Sequence, residues 1–428
     1  MKRVLIVSPH FPPTNAPDMQ RIRMSLPYFR DFGWAPTILT VKSSCVEAPC
    51  DPLLAETVPL DIAIHRVAAL PGRWTRLVGL GTLGYRAWFQ LAVAGARLIR
   101  EQPPDLVYFS TTQFLVTALG RRWRTRFGTP FVIDVQDPWR TDYYKRPGAP
   151  RPPGGWKYRF AHWQAKRLEE PSWRDAAGFI SVSEHYLAQL RARYPWFAKK
   201  PAATIPFGVS AADLELARRN ESLIPAFVRV PGAVHLVSVG AAGPIMQAAL
   251  ERLFAGVRSL LSSAPEVAAR IRFHFIGTSY APPERATPTV EPLARACGVG
   301  ALVREQPGRV GYFTALKTML AADAIVIPGS DDPAYNPSKL ATCALVGKPV
   351  LALHATGSAF GNLAHQFGFA TPAEPASVAD FLKSLAAGPT PPPSFPMESG
   401  PVAGDFSARA CTQQQCELLS RALAASGT

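Results

Sequence analysis

The chain alternates short, continuously apolar runs with stretches of helical periodicity along most of its length. Continuous apolar character is typical of strands in parallel sheets that are covered by helices on both faces. Seven runs fill the first half, and five more begin with the one that ends the segment "RVPGAVHLVSVG". The runs begin at Val4, Pro36, Ile62, Asp105, Phe131, Gly178, Ala203, His235, Arg272, Ala301, Ala324 and Pro349. This pattern predicts an α/β protein with two doubly wound parallel sheets.

The two series of runs divide the chain near residues 208 to 232. We predict an N-terminal Rossmann-like domain over 1–208 and a C-terminal Rossmann-like domain over 232–387, with a cleft between them. The tract "GPTPPPSFPMESGPVAGD" predicts a Pro-rich linker over 388–404, and the remaining 405–428 predict a C-terminal helix. Ligands of open α/β sheets bind outside the carboxyl ends of the strands, so the residues after each run are the first candidates for a site.

Charge is distributed unevenly between the two halves. Residues 1–200 contain 29 Lys and Arg against 15 Asp and Glu, whereas the rest of the chain is nearly balanced. This asymmetry predicts an anionic partner, such as a phospholipid surface or a phosphorylated acceptor. Solubility alone is the simpler alternative. No nucleic-acid-binding module or regular interleaving of aromatic and basic residues accompanies the charge, so we expect no nucleic acid partner.

Two segments bear on a membrane. The segment "GRWTRLVGLGTLGYRAWFQLAVAGARLIR" fits either an interfacial helix on anionic lipid or a basic helix packed on a sheet. Its apolar run, Ala87 to Ala96, is shorter than the ~20 residues that a spanning helix needs. The N-terminal run is too short for a signal-peptide core, so we expect a cytoplasmic protein that contacts the membrane peripherally at most.

Trp156, Phe160 and Trp163 have helical spacing, which predicts core packing.

The six cysteines include two C-x4-C pairs, Cys45 with Cys50 and Cys411 with Cys416. Neither pair has a second Cys or His pair at metal-ligand spacing. We therefore expect reduced structural cysteines, and neither a metal site nor a cofactor.

The segment "NPSK" predicts an unusual helix start. Asn336 can cap, Pro337 fits the first helical position, and Ser338 and Lys339 then fall in the first turn. Because a helix N-terminus already carries partial positive charge, an added lysine makes this a site for an anion, with phosphate the usual candidate. Asp331 lies just upstream.

Glycines follow two strands of the second series. Gly240 and Gly243 come after the first strand and Gly277 after the second, where missing side chains let a ligand or a helix approach, although a plain tight turn explains them equally well. Arg309, Val310 and Gly311 precede a further amphipathic helix.

The order "GRVGY…LKTMLAADAIVIPG…PSKLATCALVGKPVLA" resembles the donor half of GT-B-fold nucleotide-sugar glycosyltransferases of the family 4 type. The segments "SPHFPPTNAPDMQRIRMSLPYFRDFGW", "TPFVIDVQDPWRTDYY" and "FISVSEHYLAQLRARYP" are similar to the N-terminal half of that family. The resemblance extends from about residue 3 to about residue 370.

This resemblance implies transfer of a sugar from a nucleoside diphosphate donor to an acceptor hydroxyl, with retention and without a metal, on a lipid-linked or anionic acceptor. It implies that Asp137 and Lys339 act in catalysis, although helix capping is an equally simple role for Asp137. His10 and Arg21 would contact the acceptor, although a lone histidine is more often structural. The implied donor-binding residues are Gly240, Gly243, Gly277, Arg309, Val310, Gly311, Asp331, Ser338, Lys339 and Thr342.

One departure from the family pattern concerns the donor loop. Many members carry two glutamates with seven residues between them, the second of which binds the ribose hydroxyls, and here Ala334 and Thr342 occupy those places. A threonine lacks the paired acceptors of a carboxylate. This leaves open a weaker or altered donor site, or a non-catalytic partner subunit. A sugar-nucleotide epimerase would need an acid and base pair that the sequence does not reveal.

Overall fold

The computed structural model describes residues 1–75, 80–141, 144, 152, 155–279, 281, 285–330, 337–355, 357–388 and 404–427. The chain forms two compact units. The first consists of Met1–Gly208 together with Ala408–Thr428, and the second of Val209–Ser407. The predicted Pro-rich linker lies, except for its two end residues, outside the described residues.

The first unit is built on a seven-stranded sheet in its described part, with every pair of neighbouring strands parallel. Its strands are β1 (Lys2–Val7), β2 (Trp34–Val41), β3 (Ala63–Val67), β4 (Leu106–Ser110), β5 (Phe131–Val135), β6 (Gly178–Ser181) and β7 (Ala202–Thr204). The spatial order is β3-β2-β1-β4-β5-β6-β7, so the winding direction reverses between β1 and β4. Val4 pairs with Leu106 at that point.

Helices of the first unit connect these strands. They are α1 (Gln20–Ser25), α2 (Leu53–Glu56), α3 (Gly72–Thr75), α4 (Leu83–Glu101), α5 (Ala118–Phe127), α6 (Trp156–Trp173) and α7 (Glu184–Arg193). The longest of them, α4, buries Ala87, Leu91 and Leu98, which recur at helical spacing. Its Arg86 is also buried and donates to the Leu70 and Cys45 carbonyl oxygens at 2.7 and 2.8 Å. These contacts favour the packed-helix alternative for this segment, although Phe89 is exposed.

The second unit has a five-stranded parallel sheet in its described part, ordered β10-β9-β8-β11-β12. The strands are β8 (Val234–Val239), β9 (Ile271–Ile276), β10 (Val303–Gln306), β11 (Ala324–Pro328) and β12 (Val350–Leu353). The helices are α8 (Ala211–Arg219), α9 (Gln247–Ser263), α10 (Pro265–Ala268), α11 (Val290–Ala296), α12 (Tyr312–Ala321), α13 (Leu340–Val346), α14 (Ala359–Gln366) and α15 (Pro375–Ala387).

The predicted architecture is confirmed, because each of the twelve apolar runs overlaps a strand and both sheets are parallel and doubly wound. The predicted C-terminal helix is present as α16 (Ala408–Ser426). It packs within the first unit, where its Leu418 and Leu419 join the core formed by Val4 and Ile6. No helix in the described part of the chain is long and apolar enough to cross a membrane.

Candidate functional site

The carboxyl edge of the second sheet brings together several of the predicted donor-binding residues. Gly240 follows β8 with φ +108° and Gly277 follows β9 with φ +72°, both in the left-handed region that favours glycine. A methyl group on Gly240 would lie 3.5 Å from Lys339 Nζ, and one on Gly277 would lie 3.5 Å from Arg309 Cα. The two turns and the two basic residues therefore surround the ends of β8 and β9.

Lys339 provides positive charge at this edge. Its ammonium group donates a hydrogen bond of 2.7 Å to the carbonyl oxygen of Val239, the last residue of β8. Burial lowers the pKa of Lys339. Within the described residues no carboxylate forms an ion pair with it. Lys339 is half-buried, and a partly desolvated cation without a carboxylate partner is unfavourable, so an anion bound here would be stabilised.

The helix after the "NPSK" segment begins later than predicted. Helix α13 starts at Leu340, and Lys339 is its N-cap residue, with φ −86° and ψ −5°. Ser338 and Lys339 therefore precede the helix instead of lying in its first turn. Ser338 is exposed and Thr342 is half-buried on the helix. The predicted cap Asn336 and the predicted site residue Asp331 lie outside the described residues, as does Ala334.

The remaining predicted donor-side residues lie at loop and helix starts. Gly311 is the N-cap of α12, and Val310 is half-buried just before it. Gly243 lies beyond the turn after β8, with φ −98°, and a methyl group added to it would meet nothing within 4 Å. Gly243 is thus at the periphery of the group formed by Gly240, Gly277 and Lys339.

A buried polar network occupies the carboxyl edge of the first sheet, beside the point where the winding reverses. His10 follows β1, and its Nδ1 lies 2.8 Å from Asp18 Oδ1. Asp18 Oδ2 accepts from the Thr112 backbone N–H at 3.1 Å. Burial alone would lower the pKa of His10 and raise that of Asp18, but their mutual attraction reverses both, raising the pKa of His10 and lowering that of Asp18. His10 is therefore held in place by a carboxylate.

Arg21 is fully buried in the same network. Its Nε lies 2.8 Å from Asp134 Oδ2, and Nη2 donates to the Ile205 carbonyl oxygen at 2.8 Å. Burial raises the pKa of Asp134, while Arg21 opposes this shift. The predicted contact of Arg21 with an acceptor stays a prediction, and its buried position favours a role in holding the segment after β7 against β5.

Asp137 lies two residues beyond the end of β5. The residue as a whole is exposed. Desolvation of its carboxyl group by neighbouring protein atoms, together with the negative charge of Asp18, nevertheless raises its pKa to about 6. A carboxyl group that titrates near 6 can change protonation state close to neutral pH, which suits acid–base work or charge stabilisation.

Sequence reasoning missed Asp18, Asp134 and Glu169. A signal for Asp134 was present, because a charged residue inside the continuously apolar strand "FVIDV" requires a buried partner. Asp18 and Glu169 lie outside any strand and had no comparable signal.

The structure corrects the prediction that the aromatic residues of α6 pack in the core. Trp156, Phe160 and Trp163 were expected to pack in the core, but they are 67%, 43% and 54% exposed. Helix α6 instead buries Ala165, Glu169 and Trp173. Helical spacing places the three aromatic residues on one face but does not determine whether that face finds a partner.

Comparison with known proteins adds to this geometry. Residues 20–208 match the family described as Glycosyl transferase 4-like domain. HepE (Alr3699) of Anabaena, solved in complex with UDP and glucose, superimposes with a TM-score of 0.58 at 15% identity, covering 98% of this chain and 100% of HepE. The chain therefore has the fold of HepE over nearly its whole length, and its residues 20–208 match a glycosyl transferase 4-like domain.

Two further solved structures share the fold of this chain. WaaG, a glycosyltransferase involved in lipopolysaccharide biosynthesis, has a TM-score of 0.51 at 14% identity, covering 97% of this chain and 94% of WaaG. The N-terminal domain of a Candida albicans trehalose-6-phosphate phosphatase has a TM-score of 0.57 at 14% identity, covering 98% of this chain and 97% of that domain. The phosphatase name among these relatives illustrates that the fold alone does not fix a reaction. No curated protein matches the chain in sequence.

Proposed function

We propose that the protein transfers a sugar from a nucleoside diphosphate donor to a hydroxyl group of a lipid-linked or otherwise anionic acceptor, with retention of configuration and without a metal ion. The observation that carries the proposal is the Lys339 ammonium group, which lies at the end of β8 beside Gly240 and lacks a carboxylate partner within the described residues. A diphosphate is an anion of the charge and size that such a position would stabilise.

The second unit would bind the donor. Lys339 would contact the diphosphate, and the absence of side chains at Gly240 and Gly277 would let the phosphates approach the backbone. Val310 and Gly311 would lie against the base, as the family pattern implies. Thr342 would contribute one hydrogen bond at most where many relatives have a glutamate.

The reaction itself needs little covalent chemistry from the protein. The bond between the anomeric carbon and the phosphate oxygen breaks, and its electron pair goes to the departing diphosphate. The acceptor oxygen bonds to the same face of that carbon, and its proton passes to an oxygen of the departing diphosphate. Lys339 stabilises the charge that develops on the leaving group.

Asp137 in the first unit would orient the acceptor hydroxyl or support positive charge at the sugar carbon. Either role requires the carboxylate form, so transfer should weaken as the pH falls below about 6, the pKa of this group. His10, which Asp18 holds at the same edge of the sheet, would contact the acceptor through its remaining ring nitrogen.

A thermal-shift screen with nucleoside diphosphates and their sugars tests donor binding, since a ligand that binds only the folded state raises the apparent melting temperature. UDP and UDP-glucose come first, because HepE was solved with UDP and glucose. We expect a melting temperature that rises with donor concentration, and release of the diphosphate when an acceptor is supplied. If no donor shifts the melting temperature, the protein does not act on a nucleoside diphosphate sugar.

The acceptor part of the proposal rests on the exposed face of α6. Trp156, Phe160 and Trp163 are exposed on this helix together with basic residues, and Arg167 lies over the Trp163 ring at 5.7 Å. Aromatic residues flanked by cations suit the interface of an anionic membrane, where rings enter the headgroup region and cations meet phosphates. We place the protein at the cytoplasmic face of such a membrane.

Vesicle sedimentation tests this docking. We expect binding to vesicles of anionic phosphatidylglycerol, loss of binding at high salt, and weaker binding when Trp156, Phe160 and Trp163 are all changed to alanine. Phe89→Ala, at an aromatic residue that is 68% exposed on α4, serves as the matched control and should leave binding unchanged. Equal binding to neutral phosphatidylcholine vesicles, or no binding at all, would overturn this part.

A further inference from the structure

The segment that carries Asp137 is fixed at its far end through the backbone of Arg140. The Arg140 N–H donates to Glu169 Oε2 at 3.0 Å, and the Arg140 carbonyl oxygen accepts from Arg193 Nη2 at 3.2 Å. Both backbone groups of one loop residue are therefore paired with side chains from two different helices. These two contacts fix the position of the Arg140 backbone in the loop.

Glu169 is the centre of this arrangement. Its side chain is 1% exposed, and Oε1 accepts from Arg193 Nη1 at 2.6 Å and from the Tyr194 hydroxyl at 2.8 Å. Burial raises the pKa of Glu169, whereas the charge of Arg193 opposes that shift. A buried carboxylate is costly unless its oxygens are paired, and here Arg193, Tyr194 and the Arg140 N–H together supply the partners.

Aromatic packing holds Trp139, which lies between Asp137 and Arg140 in the same segment. The Trp139 ring stacks on Phe114 with centroids 5.8 Å apart and lies 5.6 Å from the ring of Trp173, which ends α6. Pro138 lies between Asp137 and Trp139, and its ring fixes its own φ angle. The four residues from Asp137 to Arg140 thus have little freedom once Trp139 and Arg140 are anchored.

We propose that Glu169 is a positioning residue, which sets the place of Asp137 at the carboxyl edge of the first sheet by anchoring the Arg140 backbone with the help of Arg193 and Tyr194. The catalytic meaning of this role rests on the proposed function, but the placement of Asp137 does not. Glu169 acts through the loop and touches no substrate.

Titration of Asp137 by carboxyl ¹³C NMR tests the placement directly, with Asp137→Asn supplying the assignment. In the wild-type protein the carboxyl group should titrate near 6. In Glu169→Ala the released loop should let the Asp137 carboxyl group move away from Asp18 and from the protein atoms that partly desolvate it, so its pKa should fall toward the ordinary value of 3.8. Glu169→Gln, which keeps an acceptor for the Arg140 N–H, should give a smaller fall.

The control is Glu170→Gln, the neighbouring carboxylate, which pairs with Arg174 and Trp196 instead of the loop. It should leave the titration of Asp137 unchanged. Tyr194→Phe removes one hydrogen bond to Glu169 and keeps the ion pair, so it tests the same point if Glu169→Ala does not fold. A folded Glu169→Ala protein in which Asp137 still titrates near 6 would overturn the proposal.

Kinetics separate this proposal from the proposed function. If sugar transfer is established, Glu169→Ala should lower kcat by roughly 10- to 100-fold with little change in the donor KM, and Glu169→Gln should recover part of the loss. A fall in donor affinity without a fall in kcat would count against positioning. If no transfer is found with any donor but Asp137 still shifts its titration in Glu169→Ala, the proposed function fails and the positioning role stands.

Discussion

The carboxyl edge of the first sheet is packed with buried charged side chains, whereas that of the second sheet consists mainly of glycine turns, backbone and a lysine. In the first unit Arg21 pairs with Asp134 and His10 with Asp18. In the second unit the Lys339 ammonium meets only a backbone carbonyl oxygen among the described residues. The buried charges at the first edge thus neutralise one another, whereas the charge of Lys339 at the second edge has no carboxylate partner among the described residues. This contrast agrees with the proposal that the second unit binds an anionic donor and that the first unit holds the acceptor.

The largest expected effect comes from breaking the internal pairing of the first unit. Arg21→Met leaves the fully buried Asp134 without its cation and the Ile205 carbonyl oxygen without its donor. We expect a loss of roughly 3–5 kcal/mol in the free energy of unfolding, measured by urea denaturation. Arg97→Met removes an exposed i,i+4 pair with Glu101 and should cost less than about 1 kcal/mol. Similar losses for both variants would contradict the comparison.

Next in size is the removal of the lysine from the second unit. Lys339→Met should reduce sugar transfer about 10²- to 10³-fold, because the leaving diphosphate loses its cation. We expect little loss of stability, since a half-buried charge without a carboxylate partner is removed as well. Transfer from a labelled donor and urea denaturation check the two parts. Lys383→Met, at an exposed lysine on α15, is the control. Full activity in Lys339→Met would remove the basis of the donor site.

A smaller effect is expected from adding a methyl group at the second edge. In Gly240→Ala the alanine must adopt the positive φ of +108° that Gly240 has, which costs about 1–2 kcal/mol. The added methyl group would lie 3.5 Å from Lys339 Nζ. Gly298→Ala has the same kind of strain, with φ +77°, but open space around it. Both should lower the free energy of unfolding alike, and only Gly240→Ala should weaken donor binding in the thermal-shift titration. Equal donor affinity in both variants would show that phosphates do not approach Gly240.

The smallest expected effect is a pH dependence specific to the first unit. Because Asp18 raises the pKa of His10 above 6.5, the folded state binds a proton more tightly than the unfolded chain, so this pair stabilises the protein at pH values below 6.5. That contribution should disappear as the pH rises through the raised pKa. Urea denaturation of His10→Gln should therefore show a deficit at about pH 5.5 that shrinks by about pH 8.5, while the exposed-site variant His185→Gln should show none. A deficit independent of pH would mean that His10 contributes packing only.

Much of the fold follows from local sequence. The apolar runs at strands such as "VLIVS" and "AIVIPG" are continuous, and this continuity is enough to predict parallel strands and two doubly wound sheets. The strand-end rule also singles out Gly240, Gly277, Asp137 and His10, because strand ends can be located from the runs alone. The grouping of Gly240, Gly277, Arg309 and Lys339 at one edge needed only the strand order in addition.

The tertiary structure decided which side chains find partners. Arg21 binds the Ile205 carbonyl oxygen 184 positions away, and α16 returns to the core of the first unit, two facts that no local period encodes. The stripe of Trp156, Phe160 and Trp163 has the spacing of a core face and is exposed, because spacing defines a face and not its surroundings. Sequence therefore determined the elements and the strand ends at which candidate residues lie, while long-range contacts alone determined which charges are buried, paired or left without a carboxylate partner.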